Sequence, residues 1–216
     1  MPYAPQNPLI VQSDKTVLIE VDNNLYERAR DELARFSELE KSPEHIHTYR
    51  LTPLSLWNAA SSGLSADSII AALERYSKFD LPDNVRRDVE DYVARYGRIK
   101  LIKEDRRLFL KSEDGYLLTD VWHNKATQPF LIGRPDDYTI EVDPARRGHV
   151  KQALVKIGFP AEDLAGYVEG APLDFALRQV TDAGARFWLR PYQEYAVDSF
   201  WACLLYTSPS PRDRTR

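Results

Sequence analysis

Two runs of basic side chains carry the plainest chemistry in this 216-residue chain. Between positions 95 and 111 stand Arg95, Arg98, Lys100, Lys103, Arg106, Arg107 and Lys111, opposed only by Glu104 and Asp105. Cations at that density can hold phosphates without reading a base sequence. The second run, Arg146, Arg147, His149, Lys151 and Lys156, follows Asp143-Pro144, a pair suited to starting a helix. A helix start adds unpaired N–H groups and the positive end of the dipole, so Arg146, Arg147 and Lys151 are candidates for gripping a nucleic-acid backbone. A solvated hairpin and a solvated helix face are the plain alternatives for both runs. Other residue types offer less. Cys203 is the single cysteine, which excludes an internal disulfide and a thiolate zinc site, and no nucleophilic constellation surrounds it. His45 and His47 would share one strand face, yet only Glu44 stands near as a third ligand.

Composition narrows the class. The chain is 43% hydrophobic and 29% charged with a net charge of −4, which describes a soluble globular protein with real cores and argues against a general nucleic-acid coat. No run approaches the ~18 apolar residues of a membrane span, and Met1-Pro2-Tyr3-Ala4-Pro5 lacks the basic-then-apolar plan of a signal peptide. A cytoplasmic location is expected.

The elements that must position the cations can be read from periodicity. Pro8–Val11 and Thr16–Val21 form a strand pair around Gln12-Ser13-Asp14-Lys15. Leu25, Ala29, Leu33, Phe36 and Leu39 recur at helical spacing up to Ser42-Pro43, and 45–51 returns as a strand. Thr52-Pro53 opens a helix that Gly63 closes, Ser65 opens another through Tyr76, and a third over about 82–96 buries Val85, Val89, Tyr92, Val93 and Tyr96. Ile99, Leu101, Leu108 and Leu110 then flank the turn Lys103-Glu104-Asp105-Arg106, so the spacing predicts a hairpin. Three helices and a hairpin are the plan of a winged helix, here at about 52–111. In the third helix Arg86 and Arg87 are interleaved with Asp83, Asp88, Glu90 and Asp91, which disfavours sequence-specific reading of bases. Residues 114–128 read as a linking stretch. Strands at 130–132 and 138–142, a helix through Val150, Leu154 and Ile157, a helical turn at 160–165 and a strand at 173–178 complete a smaller unit. A last helix begins near Trp188.

From Cys203 the chain turns rich in Pro, Ser and Arg, as a disordered tail does, and it resembles a translated sequencing-adapter read. Residues 203–216 are therefore expected to be an artefactual or disordered tail.

The segment Trp188-Leu189-Arg190-Pro191-Tyr192-Gln193 resembles the Q motif of superfamily-two helicases. The Gln193 amide can both donate to and accept from an adenine edge, and Trp188 or Phe187 could stack on the ring. An ordinary amphipathic helix with an exposed Gln is the alternative. Two further blocks, 42–59 around Ser42-Pro43-Glu44-His45-Ile46-His47-Thr48-Tyr49-Arg50-Leu51, and 147–167 from Arg147-Gly148-His149-Val150, are similar to the N-terminal region of bacterial XPB-type DNA repair helicases. The resemblance covers nearly all residues before Cys203. It implies a region that precedes two ATP-hydrolysing motor domains moving 3′ to 5′ on DNA, with ATP and Mg as cofactors of the whole enzyme. It also implies Gln193, Arg190 and Trp188 as the nucleotide-binding residues, and a damage-recognition-like module around 138–167. No G-x-x-x-x-G-K-[ST] follows, nor an Asp-Glu box, so the chain reads as a truncated N-terminal piece with no catalytic residue and no ATP hydrolysis of its own.

The resulting expectation is an α+β chain. Residues 1–128 form an N-terminal domain with the winged-helix-like part, 129–180 a damage-recognition-like module, and 181–202 the first helix of a truncated motor domain. Arg98, Lys100, Lys103, Arg106, Arg107, Arg146, Arg147 and Lys151 are its DNA-contacting residues, acting on phosphates without sequence preference, in a monomer. The alternatives are an adaptor that docks a repair nuclease or another repair subunit, and a stand-alone winged-helix DNA-binding regulator, which would dimerise on spaced half-sites.

Overall fold

The computed structural model describes residues 3–166 and 178–207, with side chains as far as Phe200. The chain divides into two compact units, 1–167 and 168–216.

In the first unit, alternating apolar residues build a four-stranded sheet from β1 (Leu9–Val11), β2 (Thr16–Glu20), β3 (Glu38–Lys41) and β4 (Ile46–Arg50), in the order β1-β2-β4-β3. Leu9, Val11, Val17, Ile19 and Tyr49 share a core with four helices: α1 (Tyr26–Leu33), α2 (Pro53–Ser61), α3 (Ala66–Tyr76) and α4 (Asp83–Arg95). Thr52 starts α2 with a full capping box, its hydroxyl accepting from the Ser55 N–H while the Ser55 hydroxyl accepts from the Thr52 N–H.

The expected helix reaching Leu39 is cut short. The chain leaves α1 at Leu33, the Ser37 hydroxyl donates to the Leu33 carbonyl at 2.6 Å, and Leu39 lies 53% exposed in edge strand β3. Phe36 still reaches the core from the turn, so its burial satisfied the helical periodicity without a helix.

The hairpin β5 (Ile99–Glu104) and β6 (Arg107–Lys111) follows α4 as expected, but its apolar face belongs to a different core from that of the three helices. It joins β7 (Leu131–Asp136), β8 (Thr139–Val142) and β9 (Ala161–Asp163) in a second sheet ordered β7-β8-β6-β5-β9. Ile99, Leu101, Leu108, Leu110, Ile140 and Val142 pack beneath α5 (Gly115–His123) and α6 (Arg147–Lys156). The hairpin therefore does not pack on the three helices as a wing does, and the expected limit at 128/129 falls inside one continuous core. The physical reason is strand pairing: β6 gains a full antiparallel ladder with β8, from Leu108↔Val142 to Lys111↔Thr139.

Two further expectations change. The linking stretch holds α5, capped by Asp114, whose carboxylate accepts from the Tyr116 and Leu117 N–H groups. The helical turn expected at 160–165 is instead β9, a strand parallel to β5. Arg95 joins the two layers, its guanidinium lying 5.5 Å from the Tyr92 ring and 5.4 Å from the Phe159 ring.

In the second unit, Val180 bridges Arg186 around a turn, and α7 (Pro191–Thr207) follows. Its backbone stays helical past Cys203, where a break was expected; Leu204, Leu205 and Tyr206 are compatible with a helix. Residues 208–216 and most of the expected strand at 173–178 lie outside the described residues. Among the described residues no helix is long and apolar enough to cross a membrane.

Candidate nucleic-acid interface

Strand register decides where the cations go. Leu108 pairs with Val142, so the β5–β6 turn sits at the same end of the sheet as the segment that leaves β8 through Asp143 into α6. Leu101 pairs in parallel with Asp163, and the Leu164 N–H donates to the Leu101 carbonyl at 2.9 Å, bringing the chain after β9 to that end too. The hairpin tip and the start of α6, some forty residues apart in sequence, thus come to one rim of one sheet.

Their cations divide sharply. Lys103, Arg106 and Arg146 are exposed, and their side chains make no hydrogen bond or ion pair among the described residues. Arg106 also sits at φ 66°, after Asp105 at φ 46°, so a tight left-handed turn presents it. Arg107 instead forks onto Glu141, Nε at 2.6 Å from Oε1 with Nη2 on the other oxygen, and holds the Glu141 carboxyl below its usual range. Arg147 and Lys151 are both spent on Asp163. Burial alone would raise the Asp163 carboxyl, but hydrogen bonds from Arg147 and Lys151 outweigh it and leave it lowered. Arg98 bonds Asp114 at 2.6 Å. Of the eight expected contact residues, half are therefore answered by the chain's own carboxylates.

Lys100 parts company with the hairpin tip. It lies at the opposite end of β5, in a groove of about 910 Å³ lined by Tyr96, Arg98, Lys111, Ser112, Tyr138 and Thr139 among others. Between the two ends the open face of the sheet is covered by its own charges: the Arg107 and Lys111 cations lie 5.3 and 6.0 Å from the Phe109 ring, and Lys111 bonds Glu104 at 2.6 Å. Sequence reasoning passed over Tyr138, Ser112 and Thr139; strand alternation through 138–142 was the signal that could have set Tyr138 apart from the buried Ile140 and Val142.

In the second unit the Gln193 side-chain oxygen accepts from the Arg190 N–H at 3.0 Å, capping the start of α7. Trp188 is exposed, with the Arg186 guanidinium 4.2 Å from its ring. One lone pair of the Gln193 oxygen and both amide N–H groups remain for a ligand.

Residues 9–136 match the family described as the helicase conserved C-terminal domain, a span that takes in the first sheet, the hairpin, α5 and β7. The chain belongs to the helicase conserved C-terminal domain family. Within that family setting, it is 50% identical over 196 residues to the DNA 3'-5' helicase XPB of Mycobacterium tuberculosis, covering 90% of this chain and 35% of the relative. It is 46% identical over 195 residues to the enzyme of the same name from Kineococcus radiotolerans, covering 90% and 34%. The general transcription and DNA repair factor IIH helicase/translocase subunit XPB of Schizosaccharomyces pombe is 36% identical over 119 residues, covering 55% of this chain and 15% of that protein. This helicase-family chain spans about a third of the length of the bacterial relatives it matches.

Proposed function

We propose that this chain is the N-terminal DNA-contacting region of an ATP-dependent 3′–5′ DNA helicase or translocase acting in repair, and that it holds DNA by its phosphates without reading sequence. The observation that carries this reading is the Leu108↔Val142 register, which gathers on one rim Lys103, Arg106 and Arg146, three of the four expected contact cations left unanswered among the described residues. The names of the bacterial relatives support the DNA helicase part. The family's description speaks of a C-terminal helicase domain. The order of segments here supports the N-terminal placement, because the Q-like stretch at Gln193 follows the matched residues.

The nucleotide end of the reading is narrower. Gln193, Arg190 and Trp188 suit the base of ATP: an amide already aimed by its cap, and an exposed indole. These residues fit the adenine, and on this reading the ATP phosphates and Mg belong to the site of the full-length parent enzyme. The damage-recognition-like reading rests on β7, β8 and α6, which follow one another in the second core and share it with the hairpin and α5.

A docking role toward a repair nuclease is the second reading. It is favoured by the self-neutralisation of Arg98, Arg107, Arg147 and Lys151, which leaves a mixed-charge surface of the kind proteins bind.

The test is duplex binding by fluorescence anisotropy across a salt series. Replacing Lys103, Arg106 and Arg146 together by Gln is expected to weaken binding and make the slope of log K against log salt shallower by about 2 to 3. An unchanged slope removes the rim from the interface.

A further inference from the structure

At the base of the hairpin an unanswered cation stands beside an exposed ring. Lys100 and Lys111 face each other across the β5–β6 ladder, an arrangement unfavourable for like charges. Glu104 answers Lys111, but the Lys100 side chain makes no hydrogen bond or ion pair among the described residues. Its parallel neighbour Glu162 turns toward Gly97 instead: a Cβ added at Gly97 would lie 3.5 Å from the Glu162 Oε2. Ser112, Thr139 and Tyr138, each carrying a hydroxyl, line the same groove. The Tyr138 ring is 57% exposed and backed by Gly115, where an added Cβ would meet it at 3.5 Å. Asp114, an acid of the same lining, is already committed to Arg98 and to the cap of α5.

We propose that this groove binds one nucleotide of a single-stranded nucleic acid, with its phosphate on Lys100 and its base stacked on Tyr138. The inference rests on the DNA-contacting reading above and adds the state of the strand and the contact that selects it. An unpaired ammonium group with hydroxyl-bearing side chains beside it suits a phosphate oxygen set. An exposed tyrosine face suits a base only when that base is not already stacked inside a duplex. Glu113 and Glu162, also in the lining, repel the neighbouring phosphates and confine the contact to one nucleotide rather than a track.

The experiment compares the full chain and its variants on a labelled thymidine oligomer of about 12 nucleotides and on a duplex of equal length. Tyr138→Ala is expected to weaken single-strand binding about tenfold and leave duplex binding unchanged, while Tyr138→Phe retains both. Lys100→Gln is expected to make the single-strand salt slope shallower by about 0.7. Unchanged single-strand affinity in Tyr138→Ala, or equal loss on both substrates, overturns the proposal. Should Tyr138→Ala melt at lower temperature than the parent chain, the Lys100→Gln slope decides the matter, no change there being the overturning result. Silent groove variants beside an active rim variant sink this inference alone; a silent rim variant beside active groove variants sinks only the rim.

Discussion

Arg147 grips Asp163 with two nitrogens, Nε at 3.1 Å and Nη2 at 2.6 Å, while its Nη1 donates to the Gly166 carbonyl at 2.7 Å. Lys151, one turn along α6, adds a third contact to the same carboxylate at 2.8 Å. The cluster ties the first half of α6 to β9, a strand of three residues that a short parallel ladder alone would hold weakly.

That cluster gives stability a pH dependence. The Asp163 carboxyl is lowered in the folded chain from an ordinary value of 3.8, so its contribution is fully present above that value. It is lost as pH falls through the lower folded value. Thermal melts from neutral pH down into the acid range below 3.8 should show Asp163→Asn less stable than the parent at neutral pH, with the gap closing in acid. A gap independent of pH contradicts the role of the charge.

Core membership can be tested directly. Leu118 on α5 is fully buried beside Leu110 and Ile140, so Leu118→Ala is expected to cost about 2–5 kcal/mol in denaturant unfolding. A solvent-exposed linking segment would lose almost nothing.

Asp114 does two things, capping α5 through Oδ1 and pairing with Arg98 through Oδ2. Asp114→Ala should cost about 1 kcal/mol through the lost cap. The same substitution leaves Arg98 unanswered, so DNA binding should tighten slightly at low salt; weaker binding by a well-folded variant runs against the electrostatic picture.

Arg106 and Arg107 adjoin in sequence and differ in partnership. Arg106→Gln is expected to make the duplex salt slope shallower by about 0.9, whereas Arg107→Gln should change it little because Glu141 already answers that charge. Equal effects from the two would mean the Arg107–Glu141 pair opens on DNA.

The α7 cap separates two uses of Gln193. Gln193→Ala should lower helicity by circular dichroism through the lost contact to the Arg190 N–H, while Gln193→Glu retains an acceptor and keeps the helix. Equal loss of helix in both variants contradicts the cap.

Apolar periodicity and capping chemistry by themselves determined the helices after Thr52, Ser65 and Pro82, the hairpin around Glu104-Asp105, and the location of both basic runs, because these depend on residues within a few positions of one another. Where that reading failed, a distant partner decided: Leu39 became an edge strand because β4 offered a ladder, and 161–163 became a strand because β5 did. The helix at 115–123 was legible in Asp114 followed by Leu117, Leu118 and Val121, but a short apolar stripe carries no sign of the sheet that covers it. The candidate interface shows the same division. Residue types announced phosphate chemistry, yet only the tertiary structure placed Arg106 and Arg146 on one rim, silenced Arg107 and Arg147 with Glu141 and Asp163, and moved Lys100 to a groove beside Tyr138. Charge is a property of the residue, whereas its availability depends on which carboxylate the fold brings within hydrogen-bonding reach.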